Sequence, residues 1–207
     1  IPDHDLFSWT APQYPWVNHE YAADTAYSFL YRLADDTTVL LSLLFAALAA
    51  YLFLSVLPRL CVQEPDWKQR FLIGFPALLM AKPFFGIRSQ VFDWLAIALI
   101  FLLWQKYTKT GNKKILWAFP LLFFAWANIH GGFPLGLAML AGLMFFSLTK
   151  NIPIASLPSP RAILPSFFKD QRNTILSFLA VLASSFLATF LTAYHYRLYI
   201  DVFHASQ

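Results

Sequence analysis

Residues 125–136 read AWANIHGGFPLG, and this stretch separates two long apolar runs. The runs on either side, 115–129 and 133–149, consist almost entirely of lipid-soluble side chains. The two adjacent glycines allow the tight reversal that a helical hairpin needs. Gly132 and Gly136 also have the G-x-x-x-G spacing that lets helices pack closely. The stretch therefore predicts two apolar helices joined by a tight turn, as part of an all-α fold.

The composition of the whole chain predicts that much of its surface faces lipid. The 207 residues are 58% hydrophobic and only 13% charged, whereas soluble domains carry about 25% charged residues. A soluble core of this size would not bury so much apolar surface. The net charge of +4 gives no support to nucleic-acid binding. The single cysteine, Cys61, excludes an internal disulfide and any cysteine-based zinc or iron–sulfur site.

Six apolar segments follow a polar and aromatic N-terminal region, and they lie at 39–57, 71–85, 91–104, 115–129, 133–149 and 174–193. A bilayer crossing takes about 20 residues for ~30 Å, so the first and last segments are long enough to span. The four middle segments are shorter, which leaves re-entrant segments as an alternative. The chain begins at Ile1 without a signal-peptide pattern, so we expect it to be part of a longer or processed protein.

The placement of charge favours six crossings. Eleven of the fifteen Lys and Arg residues then lie on one side, as the positive-inside rule predicts for cytoplasmic loops. All five histidines and eight of the eleven acidic residues lie on the other, outer side. We therefore predict a polytopic transmembrane bundle over 39–193. It lies between an outer segment, 1–38, that carries an amphipathic interfacial helix, and an outer C-terminal segment, 194–207.

Tryptophans near the segment ends predict interfacial aromatic belts, and they are Trp94, Trp104, Trp117 and Trp126.

The outer N-terminal segment is the first candidate for chemistry, since it carries Asp3, His4, Asp5, His19 and Glu20. Carboxylates at a membrane surface can take a proton from a sugar or lipid hydroxyl, or hold a divalent ion. The alternative interpretation is that they are solvated acids of a loop.

Two arginines at the outer interface are candidates for phosphate binding. The guanidinium groups of Arg88 and Arg197 suit bidentate contacts to phosphate. The alternatives for Arg88 are snorkelling to lipid headgroups or pairing with Asp93. Asn128 and His130, at the hairpin turn, are interpreted either as caps of the turn or as ligands.

Other well-known chemistries have no support. The chain contains no P-loop and no H-E-x-x-H motif, and the HGGF sequence at 130–133 has no G-x-S-x-G nucleophile elbow to accompany it.

Four blocks occur in an order that resembles bacterial polytopic proteins of the GT-C glycosyltransferase superfamily, relatives of the dolichyl-phosphate-mannose and aminoarabinose transferases. The blocks are PDHDLFSWTAPQYPWVNHEY (2–21), GIRSQVFDW (86–94), WANIHGGFPLG (126–136) and LTAYHYRLY (191–199). The resemblance implies a multi-helix membrane fold in the bacterial inner membrane. It also implies a polyprenyl-phosphate sugar as donor and catalysis on the non-cytoplasmic side.

The resemblance also implies roles for individual residues. The catalytic residues would be Asp5, Glu20 and His19. A divalent cation, Mg²⁺ or Mn²⁺, would be held by Asp3, His19 and Glu20. The donor phosphate would contact Arg88, Gln90 and Arg197, and the cavity rim would carry Asn128, His130 and Gly131.

The chain departs from the family pattern at several places. Ser89 stands where the family has proline and Tyr21 where it has tryptophan, and the last block reads Thr-Ala-Tyr-His in place of Asn-Pro-Tyr-Gly. These departures favour an alternative, a non-catalytic membrane subunit that holds a protein partner through its outer face. A small transporter needs charged residues within its spans, and segments 39–57 and 174–193 contain none.

Overall fold

The computed structural model describes residues 17–33, 37–62, 64–84, 88–149 and 160–204, and every regular element in these ranges is helical. The first three helices are α1 (Tyr21–Leu33), α2 (Thr38–Tyr51) and α3 (Leu57–Cys61), with a π-helical turn, Leu52–Val56, joining α2 to α3. Helix α4 (Trp67–Ala81) is followed by a short 3₁₀ helix, Lys82–Phe84. Helix α5 is Gln90–Thr110, and a 3₁₀ turn, Lys113–Trp117, leads into α6 (Ala118–Ile129). The remaining helices are α7 (Phe133–Thr149), α8 (Pro160–Ala188) and α9 (Arg197–His204).

The helices alternate in direction, so the bundle has two ends. At one end the Gln105 side chain donates to the carbonyl of Leu60 over 3.5 Å, and the Lys113 ammonium donates to the carbonyl of Asn173 over 3.3 Å. We call this the basic end. At the other end the Asn128 amide donates to the carbonyl of Leu191 over 3.1 Å. We call this the site end. Helices α6 and α8 therefore run from the basic end to the site end, and α5 and α7 run back.

The main core lies between α5, α6, α7 and α8. Its largest fully buried side chains are Phe119, Phe123, Phe133, Ile100, Leu116 and Leu140. The chain after α8 also contributes, because Leu198 of α9 is buried in the same cluster and the Tyr199 hydroxyl is hydrogen-bonded to Thr189. A smaller cluster of Leu52, Val56 and Ala98 joins the π-helical turn to α5.

Two helices in the described part of the chain are long and apolar enough to cross a membrane. They are Thr38–Cys61, with 24 residues, and Gln90–Thr110, with 21 residues. Only 28% of the apolar stretch of each is buried against the rest of the described chain. The remaining surface carries large apolar side chains, such as Leu40, Leu43 and Leu44 on α2. A contiguous apolar surface of this kind is typical of contact with lipid or with another protein.

The all-α prediction is confirmed for the described residues, whereas the six-span arrangement stays a prediction. Helix α4 is only 15 residues long and contains Pro76, α6 has 12 residues, and α7 is a shorter apolar helix of 17 residues. The predicted interfacial helix of the N-terminal segment is confirmed as a helix, α1.

The prediction of interfacial belts is wrong for two of the four tryptophans. Trp104 and Trp126 are buried in the main core, at 8% and 2% exposure, whereas Trp117 is exposed. Trp126 lies inside because its ring packs between Gly136 and Phe123, and because its indole nitrogen finds a carboxylate partner.

Candidate functional site

Asp93 and His130 form the most tightly connected polar pair at the site end. The Asp93 carboxylate lies 2.7 and 2.8 Å from Nδ1 of His130, measured to its two oxygens. Its Oδ1 also accepts a hydrogen bond from the indole nitrogen of Trp126 over 2.6 Å. Asp93 belongs to the first turn of α5, where the helix dipole favours a negative charge. Both oxygens of this half-buried carboxylate therefore have partners.

The second nitrogen of His130 faces the N-terminal segment. Its Nε2 lies 3.3 Å from Oε1 of Glu20, and the same oxygen is 3.9 Å from Nε2 of His19. The two imidazole rings meet edge to face, with their centroids 6.1 Å apart. Exposure increases outward through the group, from 13% for the His130 side chain to 29% for Glu20 and 41% for His19. The site thus has an enclosed inner part and an outer part open to solvent.

A local turn positions His19 and Glu20. The side-chain oxygen of Asn18 accepts from the backbone N–H of Glu20 over 2.9 Å, which makes an Asx turn immediately before α1. The Asn18 amide also donates to the Asp24 carboxylate over 2.8 Å. These contacts stabilise the start of α1, so the side chains of His19 and Glu20 project from a turn with a defined backbone.

The hairpin turn positions His130. Helix α6 ends at Ile129, and His130 has an extended backbone whose N–H still donates to the carbonyl of Trp126 over 2.9 Å. Gly132 lies two residues after His130, and a side chain added there would bring its Cβ within 2.5–2.6 Å of the Asp93 carboxylate. The predicted hairpin is therefore confirmed, and its second glycine is needed for the approach of Asp93 to His130.

The hydrogen-bonding pattern determines which nitrogen of His130 carries a proton. A carboxylate only accepts hydrogen bonds, so the 2.7 Å contact to Asp93 requires a proton on Nδ1. The N–H of Gly132 also points to Nδ1, but at 3.3 Å, and this longer contact is the weaker of the two. In the neutral ring Nε2 then carries a lone pair directed at the carboxylate of Glu20.

The charge of Glu20 also affects Tyr27 on α1. Burial raises the pKa of Tyr27 to about 12, and the negative charges of Glu20 and Asp24 add to this effect. The Tyr27 hydroxyl is buried without a hydrogen-bond partner in the described part of the chain.

The structure brings together part of the predicted site. His19, Glu20 and His130 meet at the site end, whereas Asp3 and Asp5 lie outside the described residues. Among the described residues, Arg88 and Arg197 are both exposed and make no side-chain hydrogen bond or ion pair, and Gln90 is the half-buried first residue of α5. The alternative pairing of Arg88 with Asp93 is wrong, since Asp93 bonds to His130 and Trp126.

Asn128 and Gly131 have roles in the backbone of the turn region. The Asn128 amide donates to the carbonyls of Phe124 and Leu191 over 2.8 and 3.1 Å, so it joins α6 to the chain after α8. This is the capping role that was one of the two interpretations of Asn128. Gly131 lies in the turn beside His130.

Sequence reasoning missed two residues of the site, Asp93 and Trp126. The sequence indicates Asp93 as an acid of the outer side and a partner for Arg88, and it indicates Trp126 as part of an interfacial belt. One signal was available for Asp93, because an ionisable residue inside an apolar segment is by default a functional candidate.

No protein-family model matches the chain, and no curated protein or solved structure shows significant similarity to it.

Proposed function

We propose that this chain is a membrane glycosyltransferase, or part of one, that transfers a sugar from a polyprenyl-phosphate donor on the non-cytoplasmic side. One observation carries the proposal. Three of the four blocks that resemble the GT-C superfamily meet through His19–Glu20, Asp93 and His130. Segments that are distant in sequence come together through their ionisable side chains, as the parts of one active site would.

The alternating helix directions support the proposed six crossings in the bacterial inner membrane. Lys113 lies at the basic end, whereas His19, Glu20 and His130 lie at the site end. Positively charged loops are retained in the cytoplasm, so the basic end would be cytoplasmic and the site end would face outward.

In the proposed reaction, Asp5 takes the proton from the acceptor hydroxyl, and the resulting oxygen attacks the anomeric carbon of the donor. The bond from that carbon to the phosphate oxygen breaks, the configuration inverts, and polyprenyl phosphate leaves with the electron pair. Arg88, Gln90 and Arg197 bind the departing phosphate, and the exposed guanidinium groups of the two arginines are accessible for that contact. His19 and Glu20 either position the reacting groups directly or assist the reaction through a bound divalent cation.

Transfer from a labelled polyprenyl-phosphate sugar by the full chain in liposomes tests the proposal. Asp5→Asn removes the base but keeps the size of the side chain, so we expect transfer to fall by about 100-fold or more while the protein still folds. Asp36→Asn, in the same outer segment, is the matched control and keeps its activity. Full transfer by Asp5→Asn rejects the mechanism.

The alternative function is a non-catalytic subunit. It is favoured by the exposed apolar side chains of α1, namely Phe29, Tyr31 and Leu33, which lie outside the two span-length helices. A chain of this kind would be purified in mild detergent as a complex with a partner protein. Replacing Phe29 and Tyr31 by serine would release the partner. A glycosyltransferase, in contrast, should remain active when it is purified alone.

A further inference from the structure

We propose that His19, Glu20 and His130 bind one divalent cation of the zinc class, with Asp93 as a positioning residue. The ligand atoms of the three side chains lie within 4.8 Å of one another. The site differs from the Asp3, His19 and Glu20 set expected from the sequence, because the third ligand comes from the hairpin. It does not depend on the proposed transfer reaction.

The orientation of His130 suits a metal ligand. The Asp93 carboxylate accepts a hydrogen bond from Nδ1–H of His130 over 2.7 Å, which leaves the lone pair of Nε2 for a ligand. Histidines that bind metals almost always donate their other N–H to a carboxylate, a carbonyl or water. The indole N–H of Trp126 donates to the Asp93 carboxylate over 2.6 Å. This hydrogen bond fixes the carboxylate, which in turn fixes the direction of the His130 imidazole.

The electrostatics between His130 and Glu20 also favour a bound cation. A lone pair at Nε2 and a carboxylate oxygen of Glu20 at 3.3 Å repel each other unless a positive species lies between them. A proton or a metal cation would satisfy both atoms. A proton would bridge His130 and Glu20 only. A metal cation would also bind the nearby imidazole of His19, whose Nε2 is 3.9 Å from the same oxygen.

The type and the spacing of the three ligands favour zinc. Two imidazoles and one carboxylate favour zinc and its transition-metal neighbours over Mg²⁺, which prefers oxygen ligands. Ligands at about 2.0–2.1 Å from a tetrahedral zinc are ~3.3 Å apart. The separation of His130 Nε2 and Glu20 Oε1, 3.3 Å, already has this value. Three protein ligands leave a fourth position open, on the side where His19 and Glu20 are partly exposed.

The test is calorimetric titration of the metal-stripped full chain in detergent with Zn²⁺, followed by Co²⁺ as a spectroscopic probe. We expect one tight site in the wild type. Because Glu20→Gln and His19→Gln each remove one ligand, the Zn²⁺ affinity should fall by about 100-fold or more, the upper end of the loss for a partner behind a ligand. Asp93→Asn keeps all three ligands and should cost about 10–100-fold.

His195→Asn is the control for the loss of one histidine. His195 has a left-handed backbone with φ of 48°, which asparagine tolerates, and its Nδ1 lies against the carbonyl of Phe190. This variant should bind Zn²⁺ like the wild type, with unchanged visible Co²⁺ bands. Glu20→Gln and His19→Gln should alter those bands.

The proposal is overturned if the wild type lacks a tight Zn²⁺ site, or if neither Glu20→Gln nor His19→Gln weakens it. Either result would favour a proton shared by His130 and Glu20. Because the readout is binding, the outcome is independent of the glycosyl-transfer assay.

Discussion

The two ends of the helix bundle are built in different ways. At the basic end the polar contacts are mostly local: Asp66 and Gln69 form a reciprocal capping box at the start of α4, with hydrogen bonds of 2.8 and 3.0 Å. Gly111 ends α5 in a left-handed conformation with φ of 66°. At the site end the contacts join distant segments, since Asp93 is 33 residues from Trp126 and 37 residues from His130.

The helix ends at the basic end thus depend on neighbouring residues, whereas the site depends on contacts between distant segments. A local cap forms as soon as its few neighbouring residues become helical. The contacts around Asp93 form only when α5, α6 and the N-terminal segment have packed together. A substitution at the site end should therefore disturb several elements at once, whereas one in a local cap at the basic end should affect a single helix.

The largest effect is expected from a side chain at Gly132. In Gly132→Ala the new Cβ would lie 2.5–2.6 Å from the Asp93 carboxylate, which is held by Trp126 and His130 and has little room to move. We expect a loss of about 1–3 kcal/mol in the free energy of unfolding. Thermal unfolding in detergent measures the loss, and Zn²⁺ titration shows whether the site is displaced.

Gly142→Ala is the matched control, since nothing lies within 4 Å of the position that its Cβ would take. Helix α7 should be unaffected or slightly stabilised there. Equal destabilisation by the two variants would mean that the hairpin does not depend on close approach at Gly132.

A smaller and more local effect is expected from Asp66→Ala at the basic end. The variant removes the side-chain acceptor of the Gln69 N–H, so the start of α4 should lose about 1 kcal/mol. Hydrogen exchange should increase in the first turn of α4 and stay unchanged around His130. Increased exchange at the site end would contradict the independence of the two ends.

The smallest effect is a pH dependence from Tyr27, beside Glu20. Burial raises the pKa of Tyr27 from 10.0 to about 12, so the folded state disfavours the tyrosinate. The resulting stability is fully present below pH 10 and is lost as the pH rises from 10 towards 12. Thermal unfolding of the wild type should weaken over this window, and Tyr27→Phe should remove that part of the slope.

Tyr27→Phe should not reduce stability near neutral pH, because the hydroxyl it removes is buried without a partner in the described part of the chain. An unchanged alkaline slope in this variant would assign the effect to other groups.

Several features were predictable because they depend on neighbouring residues. Gly131 and Gly132 predicted the hairpin between α6 and α7, and the pattern after Asn18 predicted α1. The environment of Trp126 was not predictable in this way. A tryptophan near the end of an apolar segment suits either an interface or a core, and the choice depended on Gly136 and Asp93, which lie on other helices.

The sequence by itself determined the all-helical class, the apolar character of the helices and the turn that carries His130. Helix periodicity, apolar content and paired glycines act over short distances. Only the tertiary structure decided that Asp93 would orient His130 and that Glu20 would face its other nitrogen. These contacts have no local signature, since each depends on the packing of helices whose relative positions are set by the burial of the whole core.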